Sequence, residues 1–493
     1  MIRPLLPIGL IVFGFGTIAA AQSGEQLARQ YCASCHVLPE PASLTKVQWM
    51  HHIMPKMAIW LGIEPPNYED MQDGRTLQQT RIFPEQPMLS QKEWFAIWDY
   101  YKAGAPQEHD TPKRESQLPI TKLFRARKIN FQGGAPMVSL VKIDNGKLYV
   151  GEAVANSLMR MDGAGKVLER LRLSSPPVAL NRASNGFVAT LIGRIFPSDA
   201  NEGAAVRLGS ERPPLLGGLR RPTDVRAGDL NSDGKEDLAV CEFGNRLGRF
   251  TLQFGLGNDE YDEHVLLDRP GAIRSEIVDV NGDRMLDVVV LTAQAREGLF
   301  TYFNQGQGKF RVETVVEFPP TYGVVDFQVL DFNKDGKLDF MVVNGDNGDF
   351  PTPRKPYHGV RVYLNDGTNL WKESWFGALD GAYKAMPADY DQDGDVDIAA
   401  ICFYPDFSKG KEVLGFVYLE NKGDMKFNAH TLPERAAGRW MVMDAGDLDA
   451  DGDMDVVLGS FVRGPTTIPV PQELEQHWRT QGAALLVLEN TTR

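Results

Sequence analysis

The sequence predicts a multidomain chain, a small all-α domain followed by an all-β seven-bladed propeller. Three observations carry that expectation. A C-x-x-C-H run, Cys32-Ala-Ser-Cys35-His36, lies between two segments that carry helix-start signals. An acidic nine-residue pattern recurs five times beyond residue 228. Short apolar segments follow each copy at about four per fifty residues, the density of a propeller blade.

Residues 1–21 read as a secretory signal. Arg3 precedes an apolar run from Leu5 to Ile18, and Ala19-Ala20-Ala21 puts small residues before Gln22. Pro7, Gly9, Gly14 and Gly16 interrupt the run, which suits a cleaved signal better than a retained anchor. No later segment is apolar for long enough to span a bilayer, so the expected location is periplasmic or secreted. Four cysteines in so long an exported chain exclude a disulfide scaffold. Cys241 and Cys402 end apparent strands and read as buried free thiols. The net charge of −13 argues against nucleic acid and anionic membranes as partners.

Residues 22–106 form the first domain. Ser23 with Gln26, and Ser90 with Glu93, are capping-box pairs that start two helices. The first helix runs through Leu27 and Tyr31 into Cys32, and the second carries Trp94, Ile97 and Tyr101 on one face. Two thiols three residues apart can each add to a haem vinyl group, with the next histidine under the iron as proximal ligand. Two helices bracketing such a stretch resemble a small class I cytochrome c. The resemblance implies haem c held by Cys32, Cys35 and His36, with a sixth iron ligand from between the helices. Met50, His51, His52, Met54, Met57, Met71 and Met88 are the candidates. Met57, two residues after Pro55, resembles the loop methionine of that family and is favoured, then Met54, then a histidine. Met/His ligation leaves no open site and favours electron transfer over oxygen chemistry.

Residues 107–120 are polar and proline-bearing and read as an extended linker. Residues 121–493 hold the repeats. The five copies place ligand-type oxygens at Asp229, Asn231, Asp233 and Asp237; at Asp279, Asn281, Asp283 and Asp287; at Asp331, Asn333, Asp335 and Asp339; at Asp389, Asp391, Asp393 and Asp397; and at Asp447, Asp449, Asp451 and Asp455. Oxygens at positions 1, 3, 5 and 9 of a tight loop converge on one hard cation, so about five Ca²⁺ are expected. Glycine stands at position 6 in four copies, and Arg284 replaces it in the second.

A strand follows each loop, as in Asp237-Leu-Ala-Val and Asp455-Val-Val-Leu, and Phe416–Asn421 matches Leu485–Asn490 as a later strand. These units resemble the FG-GAP or VCBS repeats that build the integrin α-chain head, over residues 221–493. Two weaker units, Met137 to Leu173 and Pro177 to Gly218, lack the acidic loop and bring the blade count to seven. The last unit ends at a third strand, and Leu123–Ile129 is expected to supply its outer strand and close the ring.

Opposite the acidic loops, long connections at 344–358, 404–411 and 463–481 would share a face with Arg221, Arg274, Tyr322, Lys384, Arg439 and Trp440. They carry Arg354, Lys355, Tyr357, His358, Tyr404, Asp406, Arg463, His477 and Trp478. That face is the expected dock for a redox protein partner or a small-molecule or glycan ligand. The leading expectation is an exported electron carrier with a calcium-stabilised docking propeller. A catalytic propeller, either a dehydrogenase feeding the haem or a carbohydrate lyase or dehydratase, is the alternative; adhesion is the third reading.

Overall fold

The computed structural model describes residues 22–109, 117–131, 134–210, 212–294, 296–346, 348, 354–464 and 469–492. The signal reading, residues 1–21, lies outside them, as do linker residues 110–116.

The helical part is short and cross-braced. Gly24–Tyr31 and Gln91–Gly104 both start with the expected capping boxes, Ser23 with Gln26 and Ser90 with Glu93. The helices cross where Gly24 faces the second helix: a Cβ on Gly24 would lie 2.1 Å from the Ala96 carbonyl oxygen. Only a residue without one permits that approach. Leu27, Trp49, Met54, Trp94, Ile97 and Tyr101 form the core between them. The chain after His36 is pinned by Tyr101 Oη donating to Pro39 O (3.0 Å) and Trp49 Nε1 donating to Pro41 O (2.8 Å).

Seven four-stranded antiparallel sheets follow, six of them built from strands consecutive in sequence. Blades 1 to 6 occupy residues 138–172, 177–219, 222–267, 272–318, 324–378 and 382–430. Blade 7 takes Trp440–Gly446, Asp455–Ser460 and Leu485–Asn490, with Phe124–Ile129 as its outer strand. The register runs from Phe124 opposite Asn490 to Ile129 opposite Leu485, so the two ends of the propeller are stitched together as expected. Linker residues 117–120 and the adjoining Thr121 do not run free. Thr431 N–H donates to Pro119 O and Thr121 N–H to Thr431 O, extending the edge of blade 6.

Every innermost strand carries a register shift between its first and third residues: 138/140, 177/179, 222/224, 272/274, 324/326, 382/384 and 440/442. A bulge re-aims the side chain that follows it. Asp224, Arg274, Asp326 and Lys384, the third residues of blades 3 to 6, thereby line the central channel. Cys241 and Cys402 are buried, and neither forms a disulfide.

Candidate functional site

The turn Cys32–Ser34 continues directly from the first helix, leaving Cys32 half-buried and Cys35 exposed. Burial, with Cys35 as a smaller influence, pushes the Cys32 thiol up to about 11. His36 Nδ1 lies 2.9 Å from Val37 O. A carbonyl oxygen only accepts, so the neutral ring donates from Nδ1 and keeps its lone pair on Nε2. Burial lowers the pKa of this histidine, which favours that neutral form. Cys32, Met50 and Met57 pack against the same apolar cluster, in whose core Met54 is buried. Met57 departs from expectation in one respect: it sits inside the helix Met54–Trp60, not on a loop, because Pro55 falls in the first turn where its missing N–H costs nothing. Of the other candidates, His52 and Met71 are half-buried, while His51 and Met88 are exposed.

The acidic loops share one geometry. In blade 3, Asp229 accepts the N–H groups of Asp233 and Gly234, Asn231 accepts that of Asp233, and Asp233 accepts that of Lys235. The loop with Arg284 keeps the same bonds, since Arg284 adopts φ +71°, close to the +81° of Gly234. The ninth aspartate plays a part that spacing does not disclose. Asp237, Asp287, Asp339, Asp397 and Asp455 are buried, and each accepts one N–H from its own loop and one from the third strand. Burial raises the pKa of all five, Asp397 to about 6. A divalent cation at the loop would oppose that shift. Carboxylate oxygens of Asp389, Asp391 and Asp393, and of Asp447, Asp449 and Asp455, come within 4.8 Å of one another. Asp389 Oδ1 is moreover buried without a bonded partner. The donor set fits a hard cation.

A second repeated staple was missed in the sequence. The asparagines ending the third strands reach the acidic-loop segments: Asn304 Nδ2 donates to Leu230 O and Asn490 Nδ2 to Tyr390 O, each in the preceding blade. The shared Asn at 365, 421 and 490 was the available signal.

On the opposite face lies a cavity of about 550 Å³ leading into the channel. Its deeper wall is a chain of ion pairs. Arg226 pairs with Asp224 (3.0 Å) and Glu276 (2.8 Å), Arg274 with Glu276 (2.9 Å) and Asp326 (2.6 Å), and Lys142 with Asp444 (3.3 Å). Lys384 stands beside Asp326 and Asp444, and burial lowers its pKa. Burial opposes the charge on Arg274, but Asp326 and Glu276 outweigh it and raise the pKa. Four cations and four carboxylates therefore balance at this level.

Around the mouth, several residues expected to face a ligand are packing instead. Trp440, Trp478, Tyr404, Lys355, His358 and Arg439 are buried. The helix Gln472–Thr480 covers this side, with Trp478 Nε1 donating to Ala436 O (2.9 Å), while Arg439 lies over the Phe403 ring at 4.0 Å. Arg221, Arg274 and Lys384 do line the cavity.

The helical domain sits across this mouth. Asp73 accepts from Ser198 Oγ (2.7 Å) and Asp199 N–H (2.7 Å) and faces Arg194 at 3.5 Å, all on the blade 2 connection. Tyr357, on the blade 5 connection, donates to Ser43 O (3.0 Å) and stacks on Tyr322 at 4.3 Å. Blades 2 and 5 stand three apart on a ring of seven, so the two anchors straddle the channel.

These repeats have a counterpart among known families. An FG-GAP-like repeat matches residues 279–342, from the acidic loop of blade 4 into the second strand of blade 5. No curated protein is a recognisable relative. Similar solved structures include an ancestral GH74 enzyme (12% identity, TM-score 0.45, 74% of this chain and 51% of that one). Another is a streptogramin B lyase (13% identity, TM-score 0.46, 75% of this chain and 98% of that one). The chain spans about half the length of the GH74 enzyme. No activity carries across from either. Among the described residues no helix is long and apolar enough to cross a membrane.

Proposed function

We propose that this chain is an exported c-type cytochrome whose propeller is a calcium-stabilised docking module. The observation that carries the reading is the Cys32–His36 turn, with two free thiols on one turn and a histidine whose Nδ1 bond to Val37 O leaves Nε2 for a metal. Cys32 and Cys35 would hold haem c through thioether bonds, His36 would bind the iron, and Met57 is the favoured sixth ligand. Bound there, haem supplies one-electron transfer. The residues of the chain orient it and screen it from water through the cluster of Leu27, Trp94 and Tyr101. The acidic loops would hold Ca²⁺, most readily at Asp389, Asp391 and Asp393 and at Asp447, Asp449 and Asp455.

The test is an optical spectrum of protein expressed with haem attachment, oxidised and dithionite-reduced, then under carbon monoxide. A covalent low-spin spectrum indifferent to carbon monoxide is expected, and Met57→Ala should make it sensitive. Protein that carries no covalent haem refutes the reading. Strong carbon monoxide binding by the wild type discards Met57 as ligand. A second reading, a propeller that oxidises a small molecule and passes electrons to the haem, is favoured by the cavity beneath the helical domain. Substrate-dependent haem reduction would establish it.

A further inference from the structure

Three of the five acidic-loop blades begin alike, while blades 3 and 7 put Arg221 and Arg439 in the same place; of these two arginines Arg221 has the positive φ. Gly271, Gly323 and Gly381 immediately precede the innermost strands of blades 4, 5 and 6. All three have positive φ, at +108°, +62° and +63°. Each is pressed against the connection leaving its own second strand. A Cβ would lie 2.6 Å from Gln294 N, 2.3 Å from Asp346 O and 2.0 Å from Tyr404 O respectively.

Blade 3 reverses the pair. Arg221 occupies the glycine slot at φ +48°, a conformation costly for any residue with a Cβ, and the facing position is Gly244. Blades 4 to 6 are built without that exchange. Its effect is to stand a guanidinium at the channel mouth.

That guanidinium is held but not neutralised. Its terminal nitrogens donate to Gly244 O (3.3 Å) and Ile195 O (3.1 Å), and the group lies over the Phe243 ring at 5.2 Å. Nε is buried with no bonded partner. Asp199 and Asp346 act on it only at a distance; Asp199 Oδ1 accepts the N–H groups of Asn245, Arg246 and Leu247, and its Oδ2 lies 3.8 Å from Arg246. Burial lowers the arginine's pKa, as expected for a cation short of counter-charge. The ion pairs deeper in the channel are already balanced, so they make no call on it. In the same cavity, on the adjacent blade 4, the Gln294 amide oxygen is also buried without a partner. Aromatic Phe243, Tyr383 and Phe403 line the same cavity.

We propose that the channel mouth binds a small organic hydroxy acid, its carboxylate on Arg221 and its hydroxyl donating to Gln294. A carboxylate completes the planar fork of the guanidinium, and a hydroxyl satisfies the orphaned acceptor. The Asp73 and Tyr357 anchors set the helical domain over this site. The binding claim does not depend on haem.

The test uses the full chain and measures affinity by calorimetry, with melting temperature as a fold control. The probes are lactate and gluconate, with glycerol and glucose as neutral controls and inorganic phosphate and chloride as simple anions. At least one hydroxy acid should bind and raise the melting temperature, while the neutral and simple-anion controls do not. Arg221→Gly restores the glycine of blades 4 to 6 and should melt at or above the wild type, yet lose roughly 10- to 100-fold in affinity. Gln294→Leu should weaken the hydroxy acids but leave propionate binding unchanged. Binding of neither acid at millimolar concentration overturns the proposal, as does equal response to phosphate. Undiminished binding by Arg221→Gly, or melting well below the wild type, overturns it too, because the arginine would then serve only the fold.

Discussion

Blades 1 and 2 and blades 3 to 7 reach the same four-stranded sheet through different first turns. In blade 1, Asn145 and Gly146 join Val138–Asp144 to Lys147–Glu152, both with positive φ, the two-residue turn that a right-twisted hairpin prefers. In blade 3 the same reversal takes the whole loop from Asp229 to Glu236, tied back by the buried Asp237. A blade therefore needs no acidic loop. The longer loops add a cluster of oxygens and a buried carboxylate that staples loop to third strand.

The sharpest way to break that comparison is chelation. If the loops hold Ca²⁺, each site occupied at a hundred times its dissociation constant contributes about 2.7 kcal/mol. Removing several should lower the propeller's calorimetric melting temperature by more than ~10 °C and leave the helical domain's transition unchanged. A profile indifferent to chelator would make the loops elaborate hairpins and no more.

Asp397→Ala comes next. It leaves the N–H groups of Tyr390 and Asn421 and the Tyr418 hydroxyl buried without their acceptor. At about 1–3 kcal/mol for each orphaned group, a loss of about 4 kcal/mol is expected in urea unfolding. A cost below about 1 kcal/mol would show that water reaches the site and that the staple is not structural.

Arg284→Gly should give the smallest effect. It relieves a left-handed arginine, and the gain of up to about 1 kcal/mol is partly cancelled by the freer unfolded chain. Destabilisation would mean that the side chain itself supports blade 4.

Much of this architecture was legible because it is local. A capping box needs only residues three apart, so Ser23 with Gln26 and Ser90 with Glu93 placed both long helices. The acidic pattern spans nine residues and marked five blades in register, and the unpaired third strand of the last unit called for Phe124–Ile129. The long connections lie beside the cavity on the face opposite the loops, but the packing of their side chains was not legible. Trp440, Trp478 and Tyr404 looked like ligand-facing residues and proved to be core: Trp478 and Tyr404 pack with Leu474 of the helix Gln472–Thr480 as it folds back over the surface, and Trp440 packs between blades 6 and 7. Met57 was assigned to a loop because a proline precedes it, yet proline in the first turn of a helix is equally at ease.

The sequence by itself determined the unit of construction: seven short-stranded repeats, two capped helices and one C-x-x-C-H turn, each specified by residues within reach of one another along the chain. Only the tertiary structure decided what those units face. Bulges at the start of each inner strand bring Lys142, Arg226, Arg274 and Lys384 together with their carboxylates, although more than 240 residues separate Lys142 from Lys384. Closure of the ring, not local preference, sets blades 2 and 5 on either side of the mouth and lets Asp73 and Tyr357 anchor the helical domain across it. Pairings of that kind rest on geometry summed over the whole ring, which no short window of sequence contains.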